Sequence, residues 1–246
     1  MATKTVEDKE RVVIRFAGDS GDGMQLTGDR FTNATAILGN DLATLPDFPA
    51  EIRAPAGTVA GVSAFQIQFA SEDIMTPGDH PNVLVAMNPA ALKANLDTLE
   101  RGGTLIINQD AFHQRNIEKA GYETDPLSDG SLDGYHVFLV PMTSITLRAT
   151  EDLDISKKEA ERSKNMFALG LISWMYGRPT DVTMKWLKRK FADKPLLLEA
   201  NMAAYRAGYN FGETTEIFDH SYRVKPAPAR PGLYPERELQ GGAHVN

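Results

Sequence analysis

Gly18-Asp19-Ser20-Gly21-Asp22-Gly23 is the stretch of this 246-residue chain whose residue types and spacing suit the holding of a ligand. The apolar run Val12-Val13-Ile14-Arg15-Phe16 precedes it and a segment of helical periodicity follows, so the local order is strand, glycine turn, helix. Glycine lets backbone turn tightly and leaves room for another molecule. The first free N–H groups of the next helix then face whatever fills that room. Such a turn points to a phosphate-bearing ligand or to a loop that only packs a helix on a sheet.

Spacing separates the sharper readings. A dinucleotide fingerprint requires G-x-G-x-x-G, whereas these glycines read G-x-x-G-x-G with Asp41 as the acid at about the right distance. Gly23 to Gly28 has the length of a phosphate loop, but Asp29 stands where the phosphate-binding lysine belongs. Gly21-Asp22-Gly23 resembles the start of a thiamine diphosphate motif. The Asn-Asn pair that completes that motif is absent from the chain, so thiamine binding by this domain alone is not expected.

Composition narrows the chemistry further. There is no cysteine, which excludes disulfides, an all-cysteine iron–sulfur cluster and a cysteine nucleophile. His80, His113, His136, His220 and His244 lack metal-ligand spacing, and no metal site is expected. A formal charge of −7 argues against nucleic-acid binding, and the basic cluster Lys185 to Lys190 reads as a solvated helix face or a partner contact. The N-terminal residues have no secretory apolar core and no run approaches the ~20 apolar residues of a membrane span. A cytoplasmic protein without membrane contact is expected.

The elements that must position the glycine turn follow from periodicity. Met24 to Leu38 reads as a helix closed by Gly39-Asn40, with Gly28 inside it implying close approach to the first strand. A short strand spans Leu42 to Leu45. The loop Pro46 to Thr58 is expected outside the sheet because of its prolines, yet Phe48 and Ile52 make it too apolar for a plain tether, and Arg53 is its cation. Strands are expected at Gly61 to Ala70, Val83 to Met87, Thr104 to Asn108 and Tyr135 to Pro141, with a helix opening at Asn88-Pro89. Gln66 and Gln68 suggest that one strand face meets polar material. Ser156 to Glu159 has capping-box spacing ahead of an apolar helix over Met166 to Met175, and two more helices cover Thr180 to Phe191 and Pro195 to Phe211. The fold class expected is α/β: a three-layer, Rossmann-like, largely parallel sheet with C-terminal helices, forming a domain over 1–223 and a proline-rich linker or tail over 224–246. In such sheets ligands lie beyond the carboxyl ends of strands, where the Gly18 loop, Asn88 and Asn108 fall.

Four segments in order carry a resemblance to a known family: Phe16 to Gly23, Phe48 to Thr58, Val85 to Ala90 and Lys164 to Gly170. From about Arg11 to Gly232 the chain resembles the gamma domain of 2-oxoacid:ferredoxin oxidoreductases, in particular the form fused to the N-terminus of the alpha chain of 2-oxoglutarate:ferredoxin oxidoreductase. The resemblance implies a part in oxidative decarboxylation of a 2-oxoacid to an acyl-CoA by a multisubunit enzyme, inactive as this chain alone. It implies coenzyme A as co-substrate, with thiamine diphosphate, Mg and iron–sulfur clusters on alpha and beta partner subunits that pass electrons to ferredoxin. No residue of this chain is assigned a catalytic role. The residues expected to bind coenzyme A are Gly18, Ser20, Gly21, Asp22, Gly23, Met24, Arg53 and Asn88, with Arg30 or Arg53 offsetting phosphate charge. A structural assembly module without a ligand of its own is the alternative.

Overall fold

The apolar runs become the middle of a six-stranded sheet. The computed structural model describes residues 4–51 and 54–228. Its strands are β1 (Thr5–Lys9), β2 (Arg11–Asp19), β3 (Asp41–Asp47), β4 (Val62–Ala70), β5 (Val83–Ala86), β6 (Thr104–Asn108), β7 (His136–Val140) and β8 (His220–Val224). The helices are α1 (Met24–Ile37), α2 (Pro89–Asn95), α3 (Gln114–Lys119), α4 (Met142–Ala149), α5 (Lys157–Arg162), α6 (Lys164–Met175), α7 (Thr180–Lys190) and α8 (Pro195–Thr214). The sheet order is β3-β4-β2-β5-β6-β7. β2, β5, β6 and β7 are parallel, and only β4 runs against its neighbours.

Alternation along the strands divides the core into two faces. Ile14 and Phe16 of β2 and Ile67 and Phe69 of β4 pack with Phe31 of α1 and Phe167 of α6. Ala17, Leu84, Leu105 and Ile107 look the other way, onto Leu92 of α2. These are the three layers expected, and strands covered on both faces explain why β5 and β6 read as continuous apolar runs.

α6 is buried on every side from Asn165 to Met175 because α8 closes over it. The two helices cross at glycines. A Cβ on Gly170 would stand 2.0 Å from the Tyr205 carbonyl oxygen, and one on Gly208 would stand 2.0 Å from that of Phe167. Backbone meets backbone there, which no larger residue permits.

Several expectations change in detail. Gly28 approaches β4 rather than the first strand: its Cβ would lie 2.0 Å from the Phe65 ring. Pro46 is not outside the sheet but within β3, opposite Phe65, which is tolerated because β3 is an edge strand. The polar material beside the β4 glutamines belongs to the chain itself, since Gln66 donates to the carbonyls of Pro77 and Gly78 at 3.0 and 2.6 Å. β1, β8, α3 and α4 were not anticipated. β1 and β8 pair in parallel as a separate two-stranded sheet. The expected tail begins as the last residue of β8, and Ala227 N–H donates to the Gly39 carbonyl at 2.9 Å; residues 229–246 lie outside the described residues. No helix among the described residues is long and apolar enough to cross a membrane.

Candidate functional site

β2 ends at Asp19 and β5 at Ala86, adjacent in the sheet, and the chain leaves them toward opposite faces: α1 covers one and α2 the other. A crevice at the carboxyl ends of two such strands is where open α/β sheets receive ligands. The glycine turn forms its lip and has a cavity on each side.

The turn is held from within. Asp22 N–H donates to the Asp19 carbonyl at 2.8 Å, and Asp22 Oδ2 accepts from Asp19 N–H at 3.0 Å. The other Asp22 oxygen meets Lys164 Nζ at 2.7 Å. Asp22 is therefore paired with the first residue of α6, which offsets its charge beside the turn. Gly23 stands at φ 75° as the N-cap of α1, and its missing side chain leaves space filled by Asn165, whose Nδ2 would lie 2.5 Å from a Cβ. No side chain caps α1, and its first turn carries no acid. Among the described residues no side chain caps the positive end of the helix dipole.

Of the expected residues, Gly21, Asp22 and Asn88 line these cavities. Gly21 and Asp22, with Arg162 and Asn165, line one of about 370 Å³. Asn88 lies across the turn, lining a cavity of about 220 Å³ with Asp19, Gly57, Asn116 and Lys119. Gly18 is buried at the end of β2, where a Cβ would meet Asp22 and Met24 at 3.0 to 3.2 Å, and Ser20 is exposed at the tip with its N–H given to the Gly61 carbonyl. Met24 contributes backbone only, because its side chain is in the core. Asn88 caps α2 by accepting from Ala91 N–H at 2.8 Å. Arg53 lies outside the described residues. Arg30 pairs with Asp29 and stacks on Trp186 of α7, so it is engaged away from the turn. Asn108 staples strand ends, donating to the Met87 carbonyl and to Thr143 Oγ1.

Asp19 is the residue that sequence reasoning left out. Its Oδ2 accepts from Gly57 N–H at 2.9 Å and so ties the 54–61 loop to the turn, and the Asn88 side chain lies against the same carboxyl. Burial pushes its pKa above the ordinary 3.8; the Gly57 N–H opposes this, and Asp22 nearby adds to the rise. A carboxyl with a raised folded-state pKa contributes stability at low pH that is lost as pH climbs through that value. Asp19→Asn keeps an acceptor for Gly57 and removes the buried charge. Urea titrations should find it more stable than wild type at pH 7, with the difference closing as pH falls toward 3.8; a gap independent of pH would refute the assignment. Among the described residues Lys119, Arg162 and Lys164 are cations near the turn, and of these three Lys164 belonged to a segment singled out by its sequence.

Comparison with known proteins follows this geometry. A family model described as pyruvate ferredoxin/flavodoxin oxidoreductase matches residues 13–211. The chain is 59% identical over 232 residues to the 2-oxoglutarate oxidoreductase subunit KorA of Mycobacterium tuberculosis, covering 94% of this chain and 35% of that one. It therefore spans about a third of that relative's length. Over 110 residues it is 31% identical to the 2-oxoglutarate synthase subunit KorC of Methanothermobacter marburgensis, covering 44% of this chain and 56% of that one. Among solved structures, the 2-oxoglutarate:ferredoxin oxidoreductase of Magnetococcus marinus, with 2-oxoglutarate, coenzyme A and succinyl-CoA bound, matches at TM-score 0.67 and 25% identity, covering 89% of this chain and 34% of that one. The gamma subunit of a keto/oxoacid ferredoxin oxidoreductase from Geobacter sulfurreducens shares the fold at TM-score 0.56 and 18% identity, covering 83% of this chain and 99% of that one.

Proposed function

The chain belongs to the pyruvate ferredoxin/flavodoxin oxidoreductase family, and on that premise we propose that it is the gamma domain of a 2-oxoglutarate:ferredoxin oxidoreductase and helps bind coenzyme A. The observation that carries the proposal is the uncapped amino end of α1 at the crevice between β2 and β5, flanked by cavities that hold Arg162 on one side and Lys119 on the other. Backbone N–H groups of Gly21, Gly23 and Met24 would take a phosphate oxygen, the Asp22 N–H being engaged by the Asp19 carbonyl, and Arg162 or Lys119 would offset its charge. Asp22, paired with Lys164, does not oppose it.

Coenzyme A, when bound, supplies the thiol that receives the acyl group. Thiamine diphosphate, magnesium and the clusters are assigned to alpha and beta partner subunits, because this chain offers neither cysteine nor the completed thiamine motif. Ferredoxin is reached through the assembly. The chain that follows β3 is a surface for those partners; its Phe48 is 68% exposed and gains by leaving water. The domain is assigned to 1–223, and residues 224–227 continue along it, held by Asn40 and Gly39.

The geometry also picks the variant that tests this reading. A side chain on Gly23 collides with Asn165 and strains a positive φ, so loss of function there is ambiguous. A Cβ on Gly21 meets nothing within 4 Å. Gly21→Val should therefore fold and assemble as wild type while raising the coenzyme A KM of the reconstituted enzyme about tenfold, the effect of losing roughly 1.4 kcal/mol of binding, with ferredoxin KM unmoved. Unchanged coenzyme A kinetics would favour the alternative, an assembly module whose turn only packs.

A further inference from the structure

A second cleft lies at the opposite, amino end of the parallel strands and takes no part in the site above. It has a volume of about 470 Å³ and is bounded by the starts of β2, β5, β6 and β7 on one side and by β1 and β8 on the other. Lys9, Arg11, Arg101 and His136 line it, against one acid, Glu100. Three of these side chains, Lys9, Arg11 and Arg101, are cations, an uncommon gathering on a chain of net charge −7, although Lys9 and Arg11 each have a carboxylate neighbour. Clefts with low-dielectric walls focus such a field.

The arrangement of Arg101 turns this patch into a site. Its guanidinium lies across Gly134, where a Cβ would stand 2.6 Å from NH1, and faces the Tyr135 ring at 5.5 Å from the centroid. Among the described residues it donates to no acceptor and pairs with no carboxylate. Glu100 is occupied, accepting from Asn82 Nδ2 at 2.7 Å. Arg11 spends one nitrogen on Glu72 at 2.5 Å, and Lys9 spends its charge on Glu7 at 2.7 Å, both exposed pairs that exchange readily for a better acceptor. An exposed, planar five-donor group resting near a ring, with no acceptor among the described residues, is free to take an oxyanion.

We propose that this cleft binds a multivalent oxyanion, a phosphorylated or polycarboxylate small molecule, with Arg101 as its principal contact and Arg11 and Lys9 closing on it. The site is independent of the coenzyme A reading and lies at the other end of the sheet.

Titration calorimetry of the full chain with pyrophosphate at low ionic strength tests the proposal, with citrate as a parallel arm. Wild type should bind, and Arg101→Gln should weaken binding about tenfold, the loss expected for one charge-assisted pair. Gly134→Ala should fold normally, since the three atoms nearest its Cβ all belong to the flexible Arg101 side chain, yet weaken binding by displacing the guanidinium. Arg189→Gln, on the exposed basic face of α7, should leave affinity unchanged. Tighter pyrophosphate than citrate binding assigns a phosphorylated ligand, and the reverse a carboxylate one. Absence of binding by wild type, or equal binding by Arg101→Gln, overturns the proposal.

Discussion

Gly208→Ala should lower the stability of this domain by about 3 kcal/mol or more, at the upper end of what overpacking costs in a core without room to relax. The added methyl would stand 2.0 Å from the Phe167 carbonyl oxygen and 3.0 Å from Leu171 N. Neither is the flexible end of a side chain, so relief requires α8 to move bodily off α6. Phe167, Leu171, Ala204 and Tyr205 all lose packing when it does. For a domain of this size the melting temperature should fall by roughly 6–12 °C. Gly170→Ala attacks the same crossing from the other helix, at the Tyr205 carbonyl. Because one separation of the helices relieves both collisions, the double variant should lose clearly less than the sum of the two. A melting temperature within 2 °C of wild type for Gly208→Ala would show that the crossing is wider than described.

The crossing also bears on the candidate site. α6 begins with Lys164 and Asn165, which meet the helix-proximal end of the glycine turn at Asp22 and Gly23. A displaced α6 would withdraw both. The segment Lys164 to Gly170 is thus one device, with its first residues holding the turn and its last admitting α8.

What was legible in the chain was what neighbouring residues decide. The strand, glycine turn and helix from Arg11 onward, the Asn88-Pro89 start of α2 and the capping box of Ser156 and Glu159 all depend on contacts within a few residues. Their chemistry is local and they appear as expected. The missing parts are set across long separations. Asp19 gains its weight from Gly57, and Asp22 loses its charge to Lys164, neither visible until the sheet brings them together. β1 and β8 escaped notice because all five residues of β1 are exposed, so no alternation marks it, and its partner lies at the far end of the chain. Pro141 closed β7 as expected, but it also serves as the N-cap of α4, a helix with no side-chain cap to announce it.

Arg15 shows the same limit most sharply, since within Val12 to Phe16 it reads as an interruption of an apolar strand. Its side chain is only 11% exposed and enters the α2 side of the sheet, where Nε donates to Asn95 Oδ1 at 2.6 Å, NH1 reaches Gln66 Oε1 at 3.4 Å and NH2 pairs with Asp47. The two amides cannot turn to other partners. Asn95 Nδ2 is committed to the Ala91 carbonyl, and Gln66 Nε2 to Pro77 and Gly78. Arg15→Met preserves bulk but strands two buried oxygen acceptors, at about 1–3 kcal/mol each. A loss of roughly 3 kcal/mol is expected in urea denaturation. Arg15→Lys should recover little, because one ammonium cannot span the three acceptors that the guanidinium fork reaches. Asp47→Asn should cost under about 1 kcal/mol, since Asp47 is half exposed and its charge is screened by water. The contrast locates the stabilisation in the buried amides rather than in the ion pair. If Asp47→Asn proves as damaging as Arg15→Met, the ion pair holds β2 to the end of β3 and the amides are bystanders.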